Sequence, residues 1–235
     1  MRTWNTPGGY TITRVISGRS NVFLLTNGEK NILIDTSPKY VWNKLGKRLK
    51  QLNVDLIDYL VLTHTHYDYA ENSKKIKEKY RAQIIVHRNE ASYLTSGENI
   101  LPEGTNVITK LIIRLFGKQF LFKFRYEPCQ YDYLVDSVFD LGNTGFNAYI
   151  MHAPGHTTGS MSIIIDDNVA IVGDTMFGVF KWSVFPPYAN NIIQMIDSWG
   201  KLLRTNCVVF IPAHGSANSR SLVQKEYNKR IKKIS

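Results

Sequence analysis

The strongest constraint on the fold lies in where the apolar runs of this chain stop. Ile57 to Thr63, IDYLVLT, is β-rich and almost wholly apolar, the composition of a strand buried on both faces, and it runs directly into His64. The pattern recurs downstream. Phe146 to His152 leads into the loop carrying His156, Asn168 to Gly173 leads into Asp174, and Cys207 to Ile211 leads into the loop carrying His214. Four strand ends that each offer a His or Asp fit an architecture in which parallel or mixed strands aim their termini into one crevice.

The remaining elements read in the same way. Tyr10 to Ile16, Asn21 to Thr26 and Asn31 to Thr36 alternate as strands, with Asn27-Gly28 as a hairpin turn. Val41, Leu45, Leu49 and Leu52 recur at helical spacing among Lys44, Lys47, Arg48 and Lys50, and Asp68 to Tyr80 is again helical in character. Ala82 to Val86 reads as a short buried strand. Residues 89–133 read as a helical insertion lying on the core, with Val107, Ile108, Leu111, Ile112, Leu115 and Phe116 on its apolar face. Beyond it come strands at Leu134 to Leu141, Phe146 to His152, Ser160 to Asp166 and Asn168 to Gly173, then a helix at Asn191 to Arg204, a strand at Cys207 to Ile211 and a closing helix at Leu222 to Ile231. Two similar halves of strands followed by helices would stack sheet on sheet. The expectation is an α/β chain forming a four-layer αββα sandwich, as one domain over 1–235.

Composition narrows the function classes. With 43% hydrophobic residues and no Pro/Gly/Ser linker, disorder is excluded. The net charge of +10 is spread over helix-like stretches and not gathered in a tail, so it is compatible with anionic partners without implying them. No apolar run approaches the roughly 18 to 20 residues of a membrane helix, and MRTWNTPGGY lacks the apolar core of a signal peptide, so no membrane association and a cytoplasmic location are expected. Cys129 and Cys207 make neither a disulfide framework nor a thiolate cluster. Any metal site must be built from His and carboxylates.

The six histidines supply the means. In Thr63-His64-Thr65-His66-Tyr67-Asp68 two imidazoles stand two residues apart at a strand end, where extended backbone points both to one side, and Asp68 follows. Such a donor set takes a borderline divalent metal, zinc or else iron or manganese. His156 lies in Ala153-Pro154-Gly155-His156-Thr157-Thr158-Gly159, Asp174 in Gly173-Asp174-Thr175, and His214 in Ile211-Pro212-Ala213-His214-Gly215.

This ordered set, with NVFLL and NILIDT before it, resembles the metallo-β-lactamase fold superfamily over nearly the whole chain. The resemblance implies that His64, His66 and His156 hold one metal ion. It implies that Asp174 bridges to a second, completed by Asp68 and His214, with Zn2+ as one or two ions. Asp68 and Asp174 would be the catalytic carboxylates. Asp68 would orient or deprotonate the attacking water, and Asp174 would fix the spacing of the ions. Where the family motif ends in His this chain has Tyr69, whose phenol pKa near ~10 makes it a weak zinc ligand. The second site is therefore expected to be weaker, differently metallated or empty, with Tyr69 near the metals, bonded to them, or turned into packing. Ser37 stands where the family commonly has Gly after Asp-Thr, and Asp35 reads as a supporting group.

The implied activity is hydrolysis of a small-molecule ester, lactone, thioester, amide or phosphoester by a metal-activated hydroxide. A mononuclear iron oxygenase resembling the persulfide dioxygenases, on His64, His156 and Asp174, is the alternative, and a non-catalytic metal-binding protein is another. The glutathione-thioester hydrolases of the superfamily carry a C-terminal extension, and the short stretch after His214 counts against them. Nucleic acid is disfavoured as a partner, and the aromatic stretches leave room for a homodimer. His87 and His152 read as hydrogen-bonded wall residues. Phe177, Phe180, Trp182, Phe185 and Tyr188 are read as core packing or an apolar substrate wall. Phe120, Phe122, Phe124 and Tyr126, among Lys118, Lys123 and Arg125, are read as a cover, a lid or a base-stacking surface.

Overall fold

Strands that are apolar at every position are stable only between two other layers, and that is where this chain places them. The structure, a computed structural model, describes residues 1–232, and of Lys118 and residues 120–123 it describes the backbone alone. The first half comprises β1 (Arg2–Asn5), β2 (Thr11–Ile16), β3 (Val22–Thr26), β4 (Asn31–Ile34), α1 (Trp42–Gln51), β5 (Tyr59–Val61), α2 (Tyr67–Ala70), α3 (Ser73–Tyr80) and β6 (Gln83–His87). Then follow α4 (Ala91–Ser96), α5 (Val107–Lys123), β7 (Tyr133–Val135), β8 (Val138–Asp140), β9 (Ala148–His152), β10 (Met161–Ile165) and β11 (Val169–Gly173). The chain continues with α6 (Ile192–Leu203), β12 (Val209–Pro212), β13 (Asn218–Ser219) and α7 (Arg220–Ile231).

Among the described residues these strands form two mixed sheets, one running β1 to β7 in order and the other running β13-β12-β11-β10-β9-β8. Alternate residues of a strand face opposite layers. Phe23, Leu25, Ile32, Ile34 and Val61 meet Ile163, Ile165 and Ile171 between the sheets. Their neighbours Leu24, Leu33 and Leu60 face Leu45 and Leu49 of α1 and Ile76 of α3, while Ile164, Ala170 and Val172 face Met195, Trp199 and Leu202 of α6. The layer order is αββα, as expected.

Direction decides where the strands deliver their ends. β4, β5 and β6 run parallel. β9 and β11 each pair antiparallel with β10, and β12 is parallel to β11, so β9, β11 and β12 share one direction and end at one edge. The segments that follow β5, β9, β11 and β12 are those carrying His64, His156, Asp174 and His214. The Asn27-Gly28 hairpin is present, with Asn27 Oδ1 accepting from Glu29 N and Lys30 N. Helix α6 is capped by the Asn191 side chain on Gln194 N and α7 by Ser219 on Leu222 N.

Three expectations need correction. The run Leu134 to Leu141 is not one strand: β7 joins the first sheet and β8 the second, the chain crossing between them at Asp136 and Ser137 with no Gly or Pro to signal the break. The edge strand β1 gives no alternating signal, because three of its four residues, Arg2, Thr3 and Asn5, are polar and exposed. The apolar face of α5 does not lie on the core, for Val107, Ile108, Leu111, Ile112, Leu115 and Phe116 are all exposed. Of the aromatic and basic run beside it, Lys118, Phe120, Phe122 and Lys123 have side chains outside the described residues. Phe124 stacks on Tyr67 at 4.1 Å, and Tyr126 is buried with its hydroxyl donating to Thr65 O, so these two act as a cover.

Candidate metal centre

Two of the three histidines of the cluster, His64 and His156, are oriented from behind. Thr63 ends the β5 run with its N–H and hydroxyl donating to the buried Asp35 carboxylate (2.8 to 3.0 Å), and His64 Nδ1 lies 3.3 Å from the same hydroxyl. That contact engages His64 Nδ1 and turns its Nε2 toward the other two rings. His156 Nδ1 is bonded to Tyr188 O (2.9 Å), which frees its Nε2. The turn before the cluster holds Asp35 at φ 63° and Ser37 at φ 65°, in the left-handed region, and explains why glycine suits the position of Ser37. Ser37 is fixed there by Asn72 Nδ2 donating to its carbonyl (2.8 Å).

Three ring nitrogens converge. His66 Nδ1 lies 2.9 Å from His64 Nε2 and 3.2 Å from His156 Nε2, and one ligand atom from each residue falls within 4.8 Å of the others. Zn–N bonds of ~2.05 Å in a tetrahedron set the N–N edge at ~3.3 Å, close to this spacing. A neutral His66 can place at most one proton among these three facing nitrogens, and whichever tautomer it adopts its Nε2 is buried with no partner among the described residues. Burial, with mutual repulsion between the rings, pushes His66 down to about 3 and His64 well below the ordinary imidazole range. Both are neutral at pH 7, the form that binds a metal. The residues therefore fit a borderline divalent cation.

Asp68, Asp174 and His214 line the same pocket. Burial acts to raise the Asp174 carboxyl, but His214, His156 and His64 more than offset it and hold it below the usual range. His214 is raised, its burial outweighed by Asp174, and Asp68 is raised by burial and by Asp174 against the pull of Arg19. Tyr69 is almost fully buried with its ring against His64 (centroids 4.0 Å), and its hydroxyl contacts both Asp174 Oδ1 (2.6 Å) and His214 Nε2 (2.9 Å). Burial, with the Asp174 charge beside it, pushes the phenol well above its ordinary range, so it remains a donor and not a phenolate. Of the readings open for Tyr69, the structure places it beside the centre and hydrogen-bonded.

The pocket holds about 400 Å³ and is walled by Pro102, Ile112, Ile113, Phe177, Pro187 and Tyr188, with Arg19 at one side. Of the aromatic run after Asp174, Phe177 and Tyr188 thus face the pocket. Phe185 instead packs edge-on to Trp199, and Phe180 and Trp182 are exposed. His87 and His152 stack at 4.0 Å and each bonds a backbone carbonyl, as expected for wall residues. Gly155 sits at φ 132° against the start of α6, where a Cβ would come within 2.3 Å of Met195 N, so the loop before His156 admits no side chain there.

Two supporting residues escaped the sequence reading. Arg19, in the β2–β3 loop, donates to Asp68 Oδ2 (3.3 Å) and lies over the Tyr67 ring. Glu90 is wholly buried and accepts from Thr65 N (3.0 Å), Thr65 Oγ1 (2.5 Å) and Gly159 N (3.2 Å). It clamps the residue between His64 and His66 to the loop that carries His156. No motif marked it, because a lone Glu in a helical stretch reads as a solvated surface group. Glu90→Gln places an amide NH2 against one of these donors and should weaken zinc binding by about 10- to 100-fold, measured by competition with a chromophoric chelator. Unchanged zinc affinity would show that the clamp does not position the histidines.

Comparison with known proteins agrees with this geometry. The family model of the metallo-beta-lactamase superfamily matches residues 16–214. A probable metallo-hydrolase of Methanocaldococcus jannaschii is 29% identical over 207 residues, 86% of this chain and 90% of that protein. A hydroxyacylglutathione hydrolase of Haemophilus influenzae is 27% identical over 209 residues, 87% of this chain and 90% of its own length. Among solved structures, an archaeal superfamily protein from Sulfolobus tokodaii superimposes with a TM-score of 0.63 at 19% identity, over 90% of this chain and 80% of that one.

Proposed function

Since the chain belongs to the metallo-beta-lactamase superfamily and is a metallo-hydrolase, we propose that it cleaves a small ester or thioester, using a zinc ion held by His64, His66 and His156. The observation that carries this reading is the convergence of three buried imidazoles, two of them held from behind, beside a pocket with apolar walls that His66 and His156 line. A bound cation supplies Lewis-acid charge for the acyl oxygen and a lowered pKa for water. All-nitrogen ligation of a borderline ion favours zinc over the harder manganese.

The protein's own groups divide the remaining work. Asp68 lines the pocket, and burial, with Asp174 beside it, raises its carboxyl, which favours its accepting and returning a proton during attack on the acyl carbon. Asp174 keeps its charge and holds the His214 and Tyr69 side chains around it. Pro102, Ile112, Ile113 and Pro187 exclude water and offer contact to an apolar acyl or alkyl group. A thioester is supported further by the Haemophilus influenzae relative, whose name states that substrate type and which is matched over 90% of its length, so the short stretch after His214 does not count against it. The two buried free thiols support a reducing, cytoplasmic setting.

The test is turnover of a panel of esters, lactones, hydroxyacylglutathione thioesters and phosphodiesters by the full chain, with zinc removed by a chelator and then restored. Thioester or carboxylic ester cleavage that disappears on chelation and returns with zinc is the expected result. A zinc-loaded, folded protein that cleaves nothing in the panel would overturn the proposal.

A further inference from the structure

We infer that the centre takes one metal ion per chain, because Tyr69 and Arg19 already satisfy, from within the protein, the groups that would otherwise close on a second. The inference rests on the three-histidine reading above and adds its stoichiometry. Asp68, Asp174 and His214 line one pocket beside the three-histidine cluster, and two carboxylates with an imidazole would ordinarily recruit a divalent cation.

In this chain the Tyr69 hydroxyl bridges two of the three. It lies 2.6 Å from Asp174 Oδ1 and 2.9 Å from His214 Nε2. A phenol has one proton and an ionised carboxylate can only accept, so that proton points to Asp174. The phenol oxygen is left as an acceptor toward His214, whose Nε2 must then be the N–H end of the ring. A protonated ring nitrogen has no lone pair for a metal, so the imidazole that would complete a second site is engaged. The phenol is also fixed in place. Tyr69 is 1% exposed, and its backbone carbonyl accepts from Thr36 N (2.8 Å) and Thr36 Oγ1 (2.7 Å), which anchors the turn of α2 that carries it.

The third group has a partner too. Asp68 Oδ2 receives Arg19 Nε at 3.3 Å, and the guanidinium lies 5.2 Å from the Tyr67 ring centroid. One fixed positive charge therefore stands beside Asp68 and one neutral donor beside Asp174, in the pocket where a divalent ion would otherwise balance both. In the three-histidine cluster the facing nitrogens contact chiefly one another, with Asp174 Oδ2 3.5 Å from His156 Nε2, and among the described residues no Tyr hydroxyl or Arg is hydrogen-bonded to them.

The experiment counts metal directly. Full-length protein is stripped, reloaded with excess Zn(II), desalted and analysed for zinc per chain by mass spectrometry, for the wild type, for Tyr69→His and for Tyr69→His combined with Arg19→Ala. Wild type is expected to retain close to one ion, Tyr69→His close to two, and the double variant to hold its second ion more tightly than the single one. Two ions in wild type would overturn the inference without recourse to any variant. A Tyr69→His protein that is folded by circular dichroism and still holds one ion would show that Tyr69 is not what excludes the second. A double variant that binds the second ion no more tightly would remove Arg19 from the account. Wild type that retains none would overturn the three-histidine reading itself, an outcome distinct from retention of two.

Discussion

His64→Ala, His66→Ala or His156→Ala should each lower kcat/KM on the order of 10³-fold or more and release the metal. A bound cation contributes several kcal/mol to stabilising the transition state, and ~4 kcal/mol is about a thousandfold in rate. The three substitutions should act alike, since each ring supplies one nitrogen to one cluster whose members lie 2.9 and 3.2 Å apart. Combining two should cost little more than one, because residues that act as a unit are not additive. Activity and zinc content are to be measured on the same preparations. A single variant that keeps more than about a tenth of its activity without its metal would remove that histidine from the assignment, and zinc retained with activity lost would point to a role other than ligation.

Trp199→Ala should be the most damaging change away from the pocket. Trp199 is wholly buried in α6, and its indole N–H donates to Thr175 O (2.6 Å), the residue after Asp174. Truncation leaves a cavity worth about 3–5 kcal/mol, and the orphaned carbonyl adds about 1 kcal/mol or more. For a chain of this size that is a fall in Tm of roughly 10 °C, read by calorimetry. The same change loosens the loop that carries Asp174, so activity at a temperature where the variant is still folded should fall as well. A loss of less than ~3 °C would mean that α6 repacks over the gap and that the indole does not hold the loop.

Much of the arrangement was legible in the sequence because it rests on patterns with a physical cause. Strands buried on both faces must be apolar throughout, as LVL of residues 60–62 and the III of 163–165 are, and the polar residue that ends each run stands out. His64, His66, His156, Asp174 and His214 are visible for that reason, and their convergence follows from strand direction. What could not be read was whatever depends on long-range partners. Glu90 and Arg19 are ordinary charged residues until folding sets one against Thr65 and the other against Asp68. Tyr69 stands out as a departure from the motif, yet its bonds to Asp174 and His214 span 105 and 145 residues of chain and leave no local trace. The α5 face shows the opposite failure: its periodicity is that of a packed helix, but burial depends on having something to pack against.

The two sheets contribute unequally and separately to the centre. His64 and His66 follow a strand of the first, whereas His156, Asp174 and His214 follow strands of the second. A cation gripped by all three imidazoles is consequently a fastener across the seam of the sandwich, and its affinity and the docking of the halves are one coupled equilibrium. At a free concentration a thousand times Kd such an ion adds about 4 kcal/mol to the joined state, a sizeable fraction of the stability of a typical domain. With such an ion bound, any event that parts the halves would also break its coordination.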